Sequence, residues 1–211
     1  MRKYFRLVIY LFVVITVVVA HADDAVDFFR AVNVDDDRTV EALLARGFDP
    51  NTRNPQGQSG LFLAMRDESP KVASLLLAHA NIRVDAATPN DETAAMMAAL
   101  RGNVVWTRLL LDRGAALNRF GWTPLHYAAS GPEPAVVGLL LDRGAHVDAP
   151  SPNGTTPLMM AVRYGPEESA QILLARGAKT GLVNDRDFSA ADFARLAGRE
   201  ALARRLEPAR R

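Results

Sequence analysis

Five short segments of this chain can be laid under one another, and their spacing constrains the fold more than any other feature. They are "SGLFLAM" at 59, "TAAMMAA" at 93, "TPLHYAA" at 123, "TPLMMAV" at 156 and "SAADFAR" at 189, so successive starts lie 34, 30, 33 and 33 residues apart. A second marker falls 21 residues after the first four starts: "LLLAHA" ending at Ala80, "LLLDRG" at Gly114, "LLLDRG" at Gly144 and "ILLARG" at Gly177. "ALLARG", ending at Gly47, belongs to an earlier, degenerate copy. A period of this length is that of one supersecondary unit, which buries its apolar face only against its neighbours in a stack.

The residues of the repeat explain themselves physically. Thr123 can cap a helix by accepting a bond from a free backbone N–H. Pro124 follows at the first helical position, where a missing N–H costs nothing. Leu125, Ala128 and Ala129 share one face, and the alanines let helices approach closely. Gly102, Gly165 and Gly198 fall nine residues after the Thr or Ser and suit a tight turn into a second, antiparallel helix such as "AVVGLLLDRG" (135–144). Gly144 can end that helix in the left-handed conformation. Arg143 and its counterparts Arg46, Arg113 and Arg176 place a cation in the last turn, where the helix dipole favours it. A loop such as "AHVDAPSPNGT" then predicts an outward β-hairpin.

This joint pattern of period, T-P-L-H and L-L-x-x-G resembles the ankyrin repeat, over about residues 24–207. The resemblance implies an all-α fold: an ankyrin-repeat solenoid of about six helix-turn-helix units joined by β-hairpin loops. The units run about 23–50, 51–84, 85–117, 118–147, 148–180 and 181–211. The first and last are atypical, as solenoid ends are. The first carries Asp23, Asp24, Asp27, Asp35, Asp36 and Asp37; the last presents Arg195, Arg199, Arg204 and Arg205. Both are read as solvated caps rather than surfaces for head-to-tail stacking, and a monomer is expected.

Two departures carry information. The connection from Asn118 to Thr123 is three residues shorter than the others, which truncates one finger of the row. "HANIRVD" (79–85) has one residue more than its counterparts, with Ala80 in place of Gly, so an irregular helix end is expected there.

Chemistry is sparse. The absence of cysteine excludes disulfides, thiolate zinc sites and iron–sulfur ligation. Downstream of residue 22 the histidines are His79, His126 and His146, each in a different repeat environment, so no metal site is expected. No Gly-rich phosphate loop or nucleophile–base pattern is present, and "NPQG" (54–57) and "PSPNG" (150–154) read as turns. No enzyme activity and no cofactor are expected. His126 falls where the resemblance implies a loop-bracing histidine; the matching positions hold Phe62, Met96, Met159 and Asp192. Trp106, Met96-Met97 and Met159-Met160 are read as core.

The N-terminus is a separate object. Arg2, Lys3 and Arg6 precede the apolar run Leu7–Val19, and Ala20-His21-Ala22 supplies small residues for a signal peptidase. The 13-residue run is short of the roughly 20 needed to span a bilayer. Residues 1–22 are therefore read as a secretory signal peptide cleaved after Ala22, with a periplasmic destination and no membrane contact after cleavage. An uncleaved, membrane-anchored form is the alternative. Loss of three cations takes the formal charge of +1 to −2, which gives no bulk attraction to nucleic acid.

The expected function is a non-enzymatic protein-binding module exported to the cell envelope. In ankyrin proteins the recognition surface is usually concave, built from hairpin tips and exposed positions of the first helices. Carried over, this selects Gln56, Gln58, Asn90, Glu92, Arg119, Phe120, Trp122, Asn153, Thr155, Arg186 and Phe188 from the hairpins. From the helices it selects Arg66, Asp67, Leu100, Arg101, Ser130, Arg163 and Tyr164. The binding anchors are taken as Arg66, Arg101, Arg119, Phe120, Trp122, Asn153, Arg163, Tyr164, Arg186 and Phe188, because Arg and aromatic residues dominate interface hot spots. Their composition suggests a protein partner of acidic character. Phe120 and Trp122 carry two further readings: they fold over the short hairpin and pack on the next unit, or they capture a small molecule at the notch.

Overall fold

The computed structural model describes residues 23–207, which form two compact units divided after Arg83. The expected signal peptide lies outside the described residues.

The N-terminal unit contains α1 (23–33), α2 (Asp37–Ala45), α3 (Gly60–Arg66) and α4 (Pro70–Ala78). Its core gathers Phe28, Val32, Val40, Leu43, Leu61, Phe62 and Leu76, all 2% exposed or less. Phe28 packs edge-on to Phe29 at 5.1 Å and against Phe48 at 4.9 Å. Four of the six aspartates of this end are engaged within the unit. Asp36 caps α2 through Thr39; Asp35 Oδ1 accepts from the N–H groups of Lys71 and Val72 at the start of α4; Asp24 and Asp27 pair with Arg46 and Arg30. The expected irregular helix end is present. At the C-terminus of α4, His79 is extended (φ −67°, ψ 133°), whereas the other second helices from α2 to α10 end beside a left-handed glycine.

The C-terminal unit contains α5 (Ala94–Leu100), α6 (Val104–Asp112), α7 (Pro124–Ser130), α8 (Pro134–Asp142), α9 (Pro157–Tyr164), α10 (Glu167–Ala175), α11 (Ala190–Leu196) and α12 (Glu200–Leu206). The short helices α5, α7, α9 and α11 pack side by side; α6, α8 and α10 form a second row behind them. Between the rows lies one core, including Leu125, Ala128, Val136, Leu140, Leu158, Met159, Ala161 and Leu173, all essentially buried. Each such leucine contributes about 1.5–3 kcal/mol through burial. Small residues set the spacing: a Cβ on Gly165 would stand 2.0 Å from the carbonyl oxygen of Ala129. Gly165 has φ −87°, so close approach and not backbone conformation demands glycine here. Trp106 corrects expectation. It is half-buried, and the buried residues of α6 are Thr107 and Leu110.

Three sequence-readable ladders run through the repeats. In the first, the Asn or Asp before each finger receives a backbone N–H from the segment that leads into the next finger: Arg83 to Asn51 (2.7 Å), Ala116 to Asp85 (2.9 Å), His146 to Asn118 (2.9 Å) and Lys179 to Asp148 (2.9 Å). In the second, the Asp of one L-L-x-D-R-G reaches the Arg that ends the next long helix: Asp112–Arg143 at 2.8 Å and Asp142–Arg176 at 2.7 Å. The third closes the fingers. A side chain five residues before the helix cap accepts the N–H four residues on: Asn54 from Gln58, Thr88 from Glu92, Ser151 from Thr155 and Asn184 from Phe188. One backbone rung joins the same pairs, at 2.8–3.1 Å. The hairpins are thus single-rung fingers, with isolated bridges at Arg53–Ser59 and Val183–Ser189 and no extended strand among the described residues.

Candidate functional site

The short 118–123 connection shapes the groove of the C-terminal unit. Asn118 serves the inter-repeat ladder, bonding Gly144 O (2.9 Å) and His146 N. Arg119 pairs with Asp91 at the tip of the preceding finger. Gly121, at φ +85°, turns the chain so that Trp122 faces inward. Phe120 remains 95% exposed, so it does not fold over the finger. Trp122 is half-buried, its indole edge-on to the His126 ring with centroids 5.2 Å apart.

His126 fixes this corner. It is fully buried. Its Nδ1 accepts the Thr123 N–H at 3.2 Å, and its Nε2 lies 3.0 Å from the Thr155 carbonyl oxygen. An N–H can only donate and a carbonyl can only accept, so the ring is the neutral tautomer protonated at Nε2. Burial holds its pKa down at about 4, against the opposing effect of the Thr155 and Ala149 carbonyls. In the matching position of the next repeat, Met159 Sδ accepts the Thr156 N–H at 3.3 Å. In the last, Asp192 accepts from the N–H and hydroxyl of Ser189. The histidine differs from both by carrying a second polar atom that reaches the neighbouring finger.

Two adjoining depressions share Trp122, Met160 and Tyr164. One, of about 280 Å³, is walled by Leu100, Trp122, His126, Tyr127, Ser130, Met160 and Tyr164. The other, of about 360 Å³, is walled by Trp122, Asn153, Thr155, Met160, Arg163, Tyr164, Asn184, Arg186, Phe188, Phe193 and Leu196. Tyr164 is 61% exposed, Leu196 55% and Phe188 38%, and Phe188 meets Phe193 edge-on at 6.2 Å. Arg163 donates to the Leu196 carbonyl, and its guanidinium carbon lies 5.6 Å from the Tyr164 ring centroid. Tyr127 donates to Glu92 at 3.1 Å, and burial with that carboxylate pushes the phenol's pKa up.

Six of the ten expected anchors therefore line one depression: Trp122, Asn153, Arg163, Tyr164, Arg186 and Phe188. Arg119 stands at its edge of the row, tied to Asp91, and Phe120 projects into solvent. Arg101 is exposed at the end of α5. Arg66 belongs to the N-terminal unit, where Asp67 holds it through two nitrogens at 2.7 and 2.8 Å. Thr155 corrects expectation: it is buried, and its carbonyl serves His126. Sequence reasoning missed Tyr127, Met160 and Phe193. They stand four residues after the helix caps Thr123, Thr156 and Ser189, a register the repeat alignment contains. Met160, read as core beside Met159, lines the groove while Met159 is buried.

The family model described as ankyrin repeats (3 copies) matches residues 28–120, 84–151 and 108–184. Among curated proteins, the glp-1 protein of Caenorhabditis elegans is 29% identical over 197 residues, covering 86% of this chain and 15% of that protein. The nuclear factor NF-kappa-B p105 subunit of Gallus gallus is 33% identical over 152 residues, covering 69% of this chain and 16% of that protein. The chain thus spans about 15% of the length of such relatives. An ankyrin repeat domain from Acinetobacter baumannii has a similar solved structure, with TM-score 0.69, 26% identity, and coverage of 85% of this chain and 96% of that one. A further likeness is to a chain of the complex between a predatory endopeptidase from Bdellovibrio bacteriovorus and an immunity protein. Its TM-score is 0.72 at 21% identity, with 85% and 96% covered.

Proposed function

The chain belongs to the ankyrin repeat family, whose repeats are protein-interaction modules, and from that premise we propose that it is a non-enzymatic binding protein of the cell envelope. It acts by presenting the groove of its C-terminal unit to one protein partner. The observation that carries this reading is the convergence of Trp122, Tyr164, Phe188, Arg163 and Arg186 on one depression in a scaffold already ordered by the three ladders. Partly exposed aromatic and Arg side chains on fixed helices and fingers supply contact area with little ordering cost. The likeness to a chain of an endopeptidase–immunity protein complex is consistent with a fold used in protein assemblies.

Export rests on the sequence of residues 1–22, with cleavage between Ala22 and Asp23 and a periplasmic, monomeric product. Fractionation of expressing cells with intact-mass measurement tests this part. The expected result is a periplasmic species beginning at Asp23; a full-length species in the membrane fraction contradicts it. Binding is tested by passing periplasmic extract over immobilised residues 23–211 and over the same chain carrying Trp122→Ala and Arg163→Glu. The account requires a protein retained by the first and lost by the second.

A further inference from the structure

The charged side chains that line the larger depression are of one sign. The larger depression is lined by two guanidinium groups, Arg163 and Arg186, and by no carboxylate. Neither arginine has an ion-pair partner among the described residues, whereas Arg119, Arg143, Arg176, Arg195 and Arg205 of the same unit each pair with Asp or Glu. Arg163 is nevertheless held in place, by the Leu196 carbonyl and the Tyr164 ring. Aromatic side chains line the same depression: Trp122, Tyr164 and the edge-to-face pair of Phe188 and Phe193.

We propose that the partner enters this depression with a short acidic peptide segment in which an apolar aromatic side chain neighbours a carboxylate. This rests on the groove being the partner surface. The aromatic ring occupies the depression of about 360 Å³ that Trp122 and Phe188 help to line, and the carboxylate pairs with Arg163 and Arg186. A charge-assisted bond to a preplaced guanidinium is stronger than a neutral one and loses little side-chain freedom. The same residue types also suit a single nucleic-acid strand. Here, however, Asp185 and Asp187 flank Arg186 on the finger, Asp187 sitting at its turn with φ +57°. A run of phosphates brings more negative charge against those carboxylates than a short peptide segment does.

The test uses blocked nonapeptides with Asp-Phe-Asp, Lys-Phe-Lys or Asp-Ala-Asp at the centre of a Gly/Ser background, and a nine-residue oligothymidylate. Residues 23–211 carry Trp106→Phe, so that emission reports Trp122 alone. The Asp-Phe-Asp peptide is expected to shift Trp122 emission and to bind about tenfold or more tightly than either other peptide. Arg163→Gln with Arg186→Gln is expected to remove that preference without changing the melting temperature. Equal binding of acidic and basic peptides, tighter binding of the oligothymidylate, an unaffected arginine double variant, or no response to Asp-Phe-Asp up to millimolar concentration each overturns the proposal. The groove reading fails separately. A captured envelope protein that survives Arg163→Gln/Arg186→Gln but is lost with Trp122→Ala leaves the groove standing and rejects only the acidic segment. A protein retained by Trp122→Ala rejects the groove.

Discussion

His126 Nε2 donates to the carbonyl oxygen of Thr155 at 3.0 Å, so one buried side chain joins the start of α7 to the finger of the next repeat. Its other nitrogen accepts the Thr123 N–H. Replacing His126 by Ala takes the acceptor from the buried Thr123 N–H, leaves the Thr155 carbonyl oxygen with only the Ser151 N–H, and opens a cavity. The expected cost is about 2–4 kcal/mol in chemical denaturation.

The same ring makes stability depend on pH. Its folded pKa of about 4 lies below the ordinary value of 6.5, so the unfolded chain binds the proton first as pH falls. Stability from this group is complete above about pH 6.5 and is lost progressively down to about pH 4. The loss is on the order of 3 kcal/mol. Asp36 and Asp192 act in the same direction, but their pKa values are lowered from 3.8 and their effect falls at more acid pH. Denaturation midpoints between pH 4 and 7 are expected to slope for the natural chain and to flatten for His126→Gln.

Two glycines predict opposite outcomes for one substitution. Gly165→Ala places a methyl against the Ala129 carbonyl and is expected to destabilise by about 2–4 kcal/mol. Gly138 lies inside α8 with open space around its would-be Cβ, so Gly138→Ala is expected to stabilise by about 0.5–1 kcal/mol. Urea titration of both variants checks the pair.

Exposed charge and backbone ties are also separable. Asp142–Arg176 is solvent-exposed, and a double-mutant cycle on it is expected to return under about 1 kcal/mol. Asn118→Ala removes bonds to Gly144 O and His146 N and is expected to cost about 1–2 kcal/mol.

The repeat spacing made the helices legible because capping residues, apolar faces and terminal glycines recur at fixed offsets. Thr156, Pro157 and Leu158 could be placed from Thr123, Pro124 and Leu125 alone. Asn118 is legible for the same reason: it keeps the Asn or Asp position despite the three missing residues. The groove was legible where it is built from finger and helix ends, as with Arg163 and Phe188. Met160 was not, because an apolar residue beside a core methionine looks the same in sequence whether it faces inward or lines a groove. Thr155 was misplaced because its role is carried by its carbonyl, which sequence does not distinguish. Trp106 was misplaced because an indole is too large to be enclosed where Val136 fits in α8.

Phe120 offers a clean separation of binding from folding. At 95% exposure, Phe120→Ala is expected to change stability by under about 0.5 kcal/mol while leaving the groove walls in place. A melting curve together with partner retention distinguishes an outer contact from a structural role.

The most direct measurement is retention of periplasmic proteins by residues 23–211 and by the Trp122→Ala/Arg163→Glu chain, with circular dichroism melts matched between the two. The account predicts a protein held by the natural groove and released by the altered one. Equal retention on both surfaces, or none on a well-folded natural chain, contradicts it.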